Sequence, residues 1–301
     1  MKGRIMELLQ LKYFQTVARF EHVTRAAEEL RIPQPSLSKT IALLEKELGV
    51  LLFDRRGRYI HLNEYGKIFL RRVDDALNAL EDGKRELSDL GGKTLGDIKL
   101  AVLAASNMLP DILAAFCKKY PHIRFQLLQH FSRSSTHPDF DLCISSSLLE
   151  AHESNSISLI TEEIFLAVPT DHPLANKGSI QLKEVENEDF ISLRPGKILR
   201  EITDTFCQYA GFTPRIIFES DDPATVRGLI RAGQGIAFIP AISWGGSTGS
   251  SMVLLHIEEP ICKRTISLSW AKDRYLPPSA ILFRQFTIDY FAKFNNVEHS
   301  L

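Results

Sequence analysis

Along the first ninety residues, apolar side chains recur at spacings of three and four. Leu8, Leu11, Phe14 and Val17 mark a first amphipathic helix. Residues 23–49 then read as two short helices joined by a tight turn, the second carrying Leu37, Ile41, Leu44 and Leu48 on one stripe. Val50–Leu62 splits into two apolar pieces around Gly57, which predicts a β-hairpin. Asn63 can cap a long helix whose first turn holds Glu64. Within it Phe69, Val73, Ala76, Leu80, Gly83, Leu87 and Leu90 alternate at four and three, a heptad seam that predicts pairing with a second copy. An amphipathic helix lying on its own domain would show the same period, and Gly83 and Ala76 weaken the seam. Gly91–Gly96 ends the helix and reads as a hinge.

Beyond this point short apolar strands alternate with helices. Ile98–Ala105, Phe125–Leu128, Leu142–Ile144, Ile216–Phe218 and Ile236–Ile239 are strand-like. Asn107–Tyr120, Asp222–Ala232 and Ser279–Phe294 are helical. That alternation implies a mostly parallel sheet covered by helices, with length enough for two small lobes and a ligand crevice at the strands' carboxyl ends. Three parts follow: residues 1–62, a linker helix and hinge over 63–95, and an α/β region over 96–301.

Charge sharpens the reading of the first part. Through Leu62 there are eleven Lys and Arg against seven Asp and Glu, while the whole chain has a formal net charge of −1. Positive charge is concentrated where a nucleic acid would be met. Gln34, Pro35, Ser36, Ser38 and Lys39 open the third helix, largely off its apolar stripe. Amides and hydroxyls there can pair with base edges, and Lys39 with a guanine or a phosphate, as a helix-turn-helix reader requires. Arg55, Arg56 and Arg58 at the hairpin suit phosphates or a minor groove, though a charge run is often only a solvated face.

These residues also carry a resemblance. Tyr13-Phe14-Gln15-Thr16-Val17-Ala18, Ala26-Ala27-Glu28-Glu29-Leu30, Gln34-Pro35-Ser36-Leu37-Ser38, Leu44-Glu45-Lys46-Glu47-Leu48-Gly49 and Leu52-Phe53-Asp54-Arg55 stand in order. Residues 6–66 thereby resemble the winged helix-turn-helix of LysR-type transcriptional regulators. One departure is Pro33, where that family often has a capping Ser or Thr; losing the cap costs about 1 kcal/mol, offset in part by proline's fixed φ. Landmarks continue through Leu109-Pro110, Phe116…Tyr120-Pro121, Asp141-Leu142-Cys143-Ile144, His172-Pro173-Leu174-Ala175 and Gly233-Gln234-Gly235-Ile236-Ala237-Phe238-Ile239-Pro240. The resemblance implies an α/β chain with an N-terminal winged helix-turn-helix, a long linker helix and a two-lobed, periplasmic-binding-protein-like effector domain. It further implies a cytoplasmic homodimer or homotetramer on an inverted-repeat DNA operator, a small-molecule effector and contact with RNA polymerase. Leu166–Pro169 and Leu268–Ala271 would be the crossings between lobes. Where most relatives have a further helix, this chain has only the short polar segment 129–138.

Ser106 and Asn107, at the junction of a strand and its helix, suit an anion, although plain helix capping uses the same groups. Ser192, Arg194 and Gly196 follow a later strand, where Arg194 could clamp a carboxylate, and Thr225 starts another helix. A small anionic or polar metabolite is the effector these residues suggest. A DNA-binding repressor with a ligand-unresponsive second domain is the alternative.

Other chemistries are weaker. Gly245-Gly246-Ser247-Thr248-Gly249 matches the nucleophile elbow of hydrolases, but a strand, not a helix, is predicted after it. Gly92-Lys93-Thr94 resembles a phosphate loop's end, yet Leu87 stands where its first glycine belongs. Cys117, Cys143, Cys207 and Cys262 are widely spaced and suit buried thiols, not a metal or redox pair, and no cofactor is implied. No apolar run reaches membrane-spanning length, and no signal peptide is visible.

Overall fold

The computed structural model describes residues 6–56, 59–91, 96–129, 140–148, 155–244, 252–272 and 274–295. Its chain forms two compact units, one from the described residues through Gly91 and one from Gly96 onward.

The first unit comprises α1 (Leu8–Phe20), α2 (Val23–Leu30), α3 (Gln34–Leu48), β1 (Phe53–Arg56), β2 (Tyr59–Leu62) and α4 (Glu64–Leu90). Left-handed residues end the first three helices: Glu21 at φ 45°, Arg31 at φ 55° and Gly49 at φ 71°. These sharp stops fold the helices onto a core of Phe14, Val17, Ala26, Leu37, Leu44 and Leu52, all almost fully buried. Each large side chain buried there contributes about 1.5–3 kcal/mol. Phe14 sits centrally, its ring 5.6 Å from Phe53 and 5.2 Å from Phe69. Asn63 caps α4 by accepting the Gly66 amide at 2.9 Å. Gly66 is required by packing, because a Cβ there would meet the Leu52 carbonyl oxygen at 2.2 Å.

The second unit contains β3 (Ile98–Val102), α5 (Leu109–Lys119), β4 (Phe125–Leu128), β5 (Leu142–Ser147) and β6 (Ser156–Pro169). It continues through β7 (Ser179–Gln181), β8 (Asp189–Leu193), α6 (Ile198–Tyr209), β9 (Arg215–Ser220) and α7 (Pro223–Arg231). It ends with β10 (Ala237–Pro240), β11 (Met252–Glu259), β12 (Lys263–Ser269) and α8 (Pro278–Asn295). The main sheet runs β4-β3-β5-β12-β6-β11-β7, with β10 also on β6, and β8 pairs β9 separately. Strand β3 is parallel to β4 and β5, as βα alternation requires, whereas β12 is antiparallel to β5 and β6. The architecture is α/β as expected, but the main sheet is mixed and not mostly parallel, because β6 runs antiparallel to β10, β11 and β12.

Two cores lie along that sheet. One gathers Ile98, Leu100, Ile112, Phe116, Ile144 and Phe283, the other Leu166, Val168, Phe190, Phe206, Ile230 and Ile239. Strand β6 serves both: Leu159 and Ile160 belong to the first, and Ile164 onward to the second. The lobes therefore join at residues 162–164 of β6 and at Cys262–Arg264, where Ile164 donates its amide to the Cys262 carbonyl at 2.8 Å. This corrects the crossings expected at Leu166–Pro169 and Leu268–Ala271. Those apolar runs lie inside the second and first lobe cores respectively, and the change of lobe falls at the charged positions before each of them. Of the short segment 129–138, all but Gln129 lies outside the described residues.

Candidate nucleic-acid interface and effector unit

Helix α3 buries Leu37, Ile41 and Leu44 and leaves Gln34, Pro35, Ser36 and Lys39 exposed, with Ser38 half-buried beside them. Pro33 occupies the N-cap at φ −62° and ψ 133°, with no side-chain cap. Its carbonyl instead accepts the Ser36 and Leu37 amides at 3.0 and 3.2 Å, so the helix starts cleanly. Gln34 Nε2 donates to Ser38 Oγ at 2.9 Å, which orders both side chains on the outward face. Arg55 and Arg56 stand in β1; their side chains, and Arg58 altogether, lie outside the described residues.

The hairpin is held at its base from three sides. Glu45 of α3 accepts the Leu52 and Phe53 amides at 2.8 and 3.3 Å. Glu21 accepts the Leu62 amide at 2.8 Å and meets His61 Nδ1 at 3.1 Å. Asn63 Nδ2 donates to the Leu51 carbonyl at 2.9 Å. The Leu62 amide holds the Glu21 carboxyl below its ordinary value; burial opposes this, and His61 and Lys67 add to the lowering.

On α4 the expected seam divides. Val73 is 2% exposed in this unit's own core, and Phe69 packs against that core, so Val73 is not available to a second copy. A seam and an own-domain stripe have the same period, and the first two seam positions are used for the latter. Ala76, Leu80, Leu87 and Leu90 remain exposed, the three leucines at 52%, 72% and 80%. Leu48, Val50, Tyr65, Ile68 and Phe69 line a shallow apolar groove beside the helix start.

In the second unit the predicted anion site at Ser106 and Asn107 has another structure. Helix α5 begins two residues later, and Ala105 at φ 58° accepts the Met108 and Leu109 amides, so these are not free for an anion. Ser106 is exposed, and Asn107 Nδ2 donates to the Trp244 carbonyl at 2.6 Å. The guanidinium of Arg227 reaches the same carbonyl at 3.4 Å and lies 5.7 Å from the Trp244 ring centroid. Burial pulls the Arg227 pKa below its ordinary value, Asp222 opposing and Arg231 adding to it. Ser192 is half-buried on β8, and Gly196 lies in an exposed turn at φ 87°. Arg194 pairs with Asp221 at 3.1 Å, and the Thr225 hydroxyl donates to Asp222, the α7 cap, at 3.0 Å. The latter two serve the fold locally, and the bonds they make do not converge on Asn107.

Where the lobes join, Glu162 and Arg264 face each other across β6 and β12, 1% and 2% exposed. Arg264 Nε donates to Glu162 Oε1 at 2.9 Å. Glu162 also accepts the Ile242 and Ser243 amides at 2.9 and 2.8 Å and the Ser243 hydroxyl at 2.6 Å. Arg264 extends to Ser243 Oγ at 2.7 Å and Ser146 Oγ at 3.3 Å. A buried ion pair is tolerable only when its remaining polar atoms are met, as they are here. Burial lowers the Arg264 pKa and the Glu162 charge opposes that.

Comparison with known proteins decides the family. The profile described as "Bacterial regulatory helix-turn-helix protein, lysR family" matches residues 8–67, and "LysR substrate binding domain" matches residues 92–292. The chain belongs to the LysR family of DNA-binding transcriptional regulators. It is 41% identical to YybE of Bacillus subtilis (strain 168), an uncharacterised HTH-type transcriptional regulator, over 96% of this chain and 100% of the relative. It is 35% identical to the transcriptional dual regulator GltC of the same organism, over 96% of this chain and 98% of the relative. Its fold is shared with a full-length OxyR variant of Pseudomonas aeruginosa, at a TM-score of 0.63 and 22% identity, covering 96% and 95% of the two chains. As a LysR regulator it binds operator DNA and carries an effector-binding domain.

Two further expectations concern reactive side chains of this regulator. Cys143, Cys207 and Cys262 are buried and Cys117 half-buried, and burial pushes the Cys207 and Cys262 thiols up to about 12. Thiols so disfavoured as thiolates are poor nucleophiles. Ser247 and its glycines lie outside the described residues, but strand β11 follows them and an elbow would need a helix. Sequence reasoning missed Glu162, Arg264, Glu45, Glu21 and Arg227. A usable signal existed for the first pair: Glu162-Glu163 and Lys263-Arg264 interrupt apolar strand patterns with opposite charges. None of the described helices is long and apolar enough to cross a membrane.

Proposed function

We propose that this regulator reads an inverted-repeat operator in the cytoplasm as a homodimer or homotetramer, and answers a small anionic or polar effector. Residues 1–62 read DNA, 63–95 join copies, and 96–301 bind the effector. Gln34, Ser36, Ser38 and Lys39 meet bases and nearby phosphates, and Arg55, Arg56 and Arg58 the backbone. The observation that carries this is the outward face of α3, with four polar side chains over a stripe whose Leu37, Ile41 and Leu44 are buried in the core. Antiparallel pairing of α4 is the reading supported for assembly, because it lays the exposed Leu80, Leu87 and Leu90 of one copy toward the apolar groove beside the other's helix start. An anionic or polar effector is supported by Asn107 and Arg227, whose donors converge from the two lobes on one carbonyl oxygen. Effector binding would change the spacing of the DNA contacts, and hence access of RNA polymerase.

The test is a gel shift on DNA upstream of the protein's own gene, followed by a genome-wide selection for sites elsewhere. Lys39→Ala is expected to lower operator affinity about tenfold and flatten the salt dependence by the equivalent of about one phosphate, leaving the oligomer intact. Unchanged affinity would remove Lys39 from the reading surface. Leu87→Asp with Leu90→Asp is expected to shift the protein to a lower oligomer by light scattering, and an unchanged mass would end the α4 assignment.

A further inference from the structure

We propose that Glu45 and Glu21 are positioning residues for DNA binding, which fix both strands at the base of the hairpin so that β1 carries Arg55 and Arg56 at a set distance from the reading face of α3.

The hairpin cannot supply that placement by itself. Strands β1 and β2 are four residues each and form a sheet of their own with no third strand among the described residues. A lone two-stranded hairpin is marginally stable in water. Apolar anchors at Leu52 and Phe53 hold it to the core, but such contacts are non-directional and leave its inclination unset. Hydrogen bonds to the strand ends are directional. At the start of β1 both the Leu52 and Phe53 amides converge on the same oxygen, Glu45 Oε1. At the end of β2 the Leu62 amide and the His61 ring take separate oxygens of Glu21.

The elements that carry these carboxylates matter as much as the bonds. Glu45 sits seven residues beyond Ser38 on the same helix, two turns along, so α3 is a rigid bar between base-reading side chains and the start of the wing. Glu21 occupies the left-handed stop of α1, immediately before the helix that supports α3. Base contact and phosphate contact are thus referred to one frame. Phosphates recur at fixed intervals along a duplex, and contacts to them set the register of the protein upon it. A contact group held loosely loses more ordering entropy on binding than one already in place.

Both groups are anions in the domain that meets a polyanion, where a neutral side chain would repel DNA less. Their presence here is accounted for by what they hold, since hydrogen bonds to a charged acceptor are about twice as strong as neutral ones.

This inference rests on the reading that the wing arginines meet phosphates, and the experiment separates the two. Full-length protein and an operator duplex recovered by selection are titrated from low to high salt. The slope of log affinity against log salt falls by about 0.9 for each phosphate that the protein no longer neutralises. Arg55→Ala with Arg56→Ala is expected to flatten the slope by the equivalent of about two phosphates. Glu45→Ala is expected to flatten it by at least one, and Glu21→Ala likewise, with no further loss when either is combined with the arginine variant. Glu45→Gln, which keeps an oxygen of the same reach, is expected to restore most of the slope. Circular dichroism on each variant confirms that the helices stand. A purely structural role would lower the melting temperature and leave the slope of the folded protein at the wild-type value. That outcome, with the arginine variant flattened, overturns the positioning role. An arginine variant with the wild-type slope overturns the wing contact itself.

Discussion

Glu21 and Glu162 organise two regions of this regulator by the same means, accepting backbone amides from a neighbouring segment, yet their surroundings are opposite. Glu21 has a side chain 42% exposed and faces a half-exposed His61. Glu162 is fully enclosed and faces Arg264, itself 2% exposed. At the surface, water competes for every bond and screens the charge, so the carboxylate directs the chain without bearing much of its stability. In the interior each oxygen must be met by protein, and Glu162 gathers two amides, a hydroxyl and a guanidinium. The same chemical group therefore sets direction in one place and becomes indispensable in the other.

The largest effect should come from breaking the buried pair. Glu162→Ala leaves Arg264 enclosed without its counter-charge and is expected to destabilise the second unit by about 3–5 kcal/mol in denaturant unfolding. Replacing both partners, as Glu162→Met with Arg264→Leu, is expected to recover most of that loss. A single variant that costs under about 1 kcal/mol would erase the contrast with Glu21. At the other end, Glu21→Ala is expected to cost under about 1 kcal/mol after solvent screening. Its pH dependence has a definite sign. Because the folded pKa is lowered, the contribution of Glu21 is present above the ordinary carboxylate value and is lost as pH falls through the folded one. Wild type and Glu21→Ala should therefore differ at neutral pH and converge in acid, and a difference that grows in acid would reverse the assignment.

The first unit is legible in the sequence because its signals are local. Phe14, Val17, Leu37, Ile41 and Leu44 sit at helical spacing and all are buried, and Asn63 caps the helix it precedes. Period alone does not say which partner a stripe meets, so the heptad seam assigns Val73 to a second copy although its own core claims it. In the second unit the alternation of strands and helices is readable, while the lobe crossings are displaced. An apolar run such as Leu166–Pro169 looks like a discrete strand, but it is the last four residues of a strand of 14 residues that changes core without changing direction. Pairings such as Glu162 with Arg264, or Asn107 with Trp244, join residues 102 and 137 apart, and no local pattern announces them. For that reason the sequence points to Asn107 and passes over Arg227, its neighbour on the same carbonyl.

The shared strand β6 also restricts how this chain can vary over generations. Ile160, Glu162, Ile164, Leu166 and Val168 alternate on it, and all five are buried. Losing or gaining one residue between Glu162 and Ile164 would turn every position on one side of the change to the opposite face of the sheet. Ile164, Leu166 and Val168 would leave the second core, or Ile160 and Glu162 the first. Neighbouring loops can lengthen at little cost, since closing a longer loop is entropically cheap. The segment that joins the lobes has no such freedom: its length is expected to be kept more strictly than its composition, and a search for descendants of this protein should find substitutions there but no gaps.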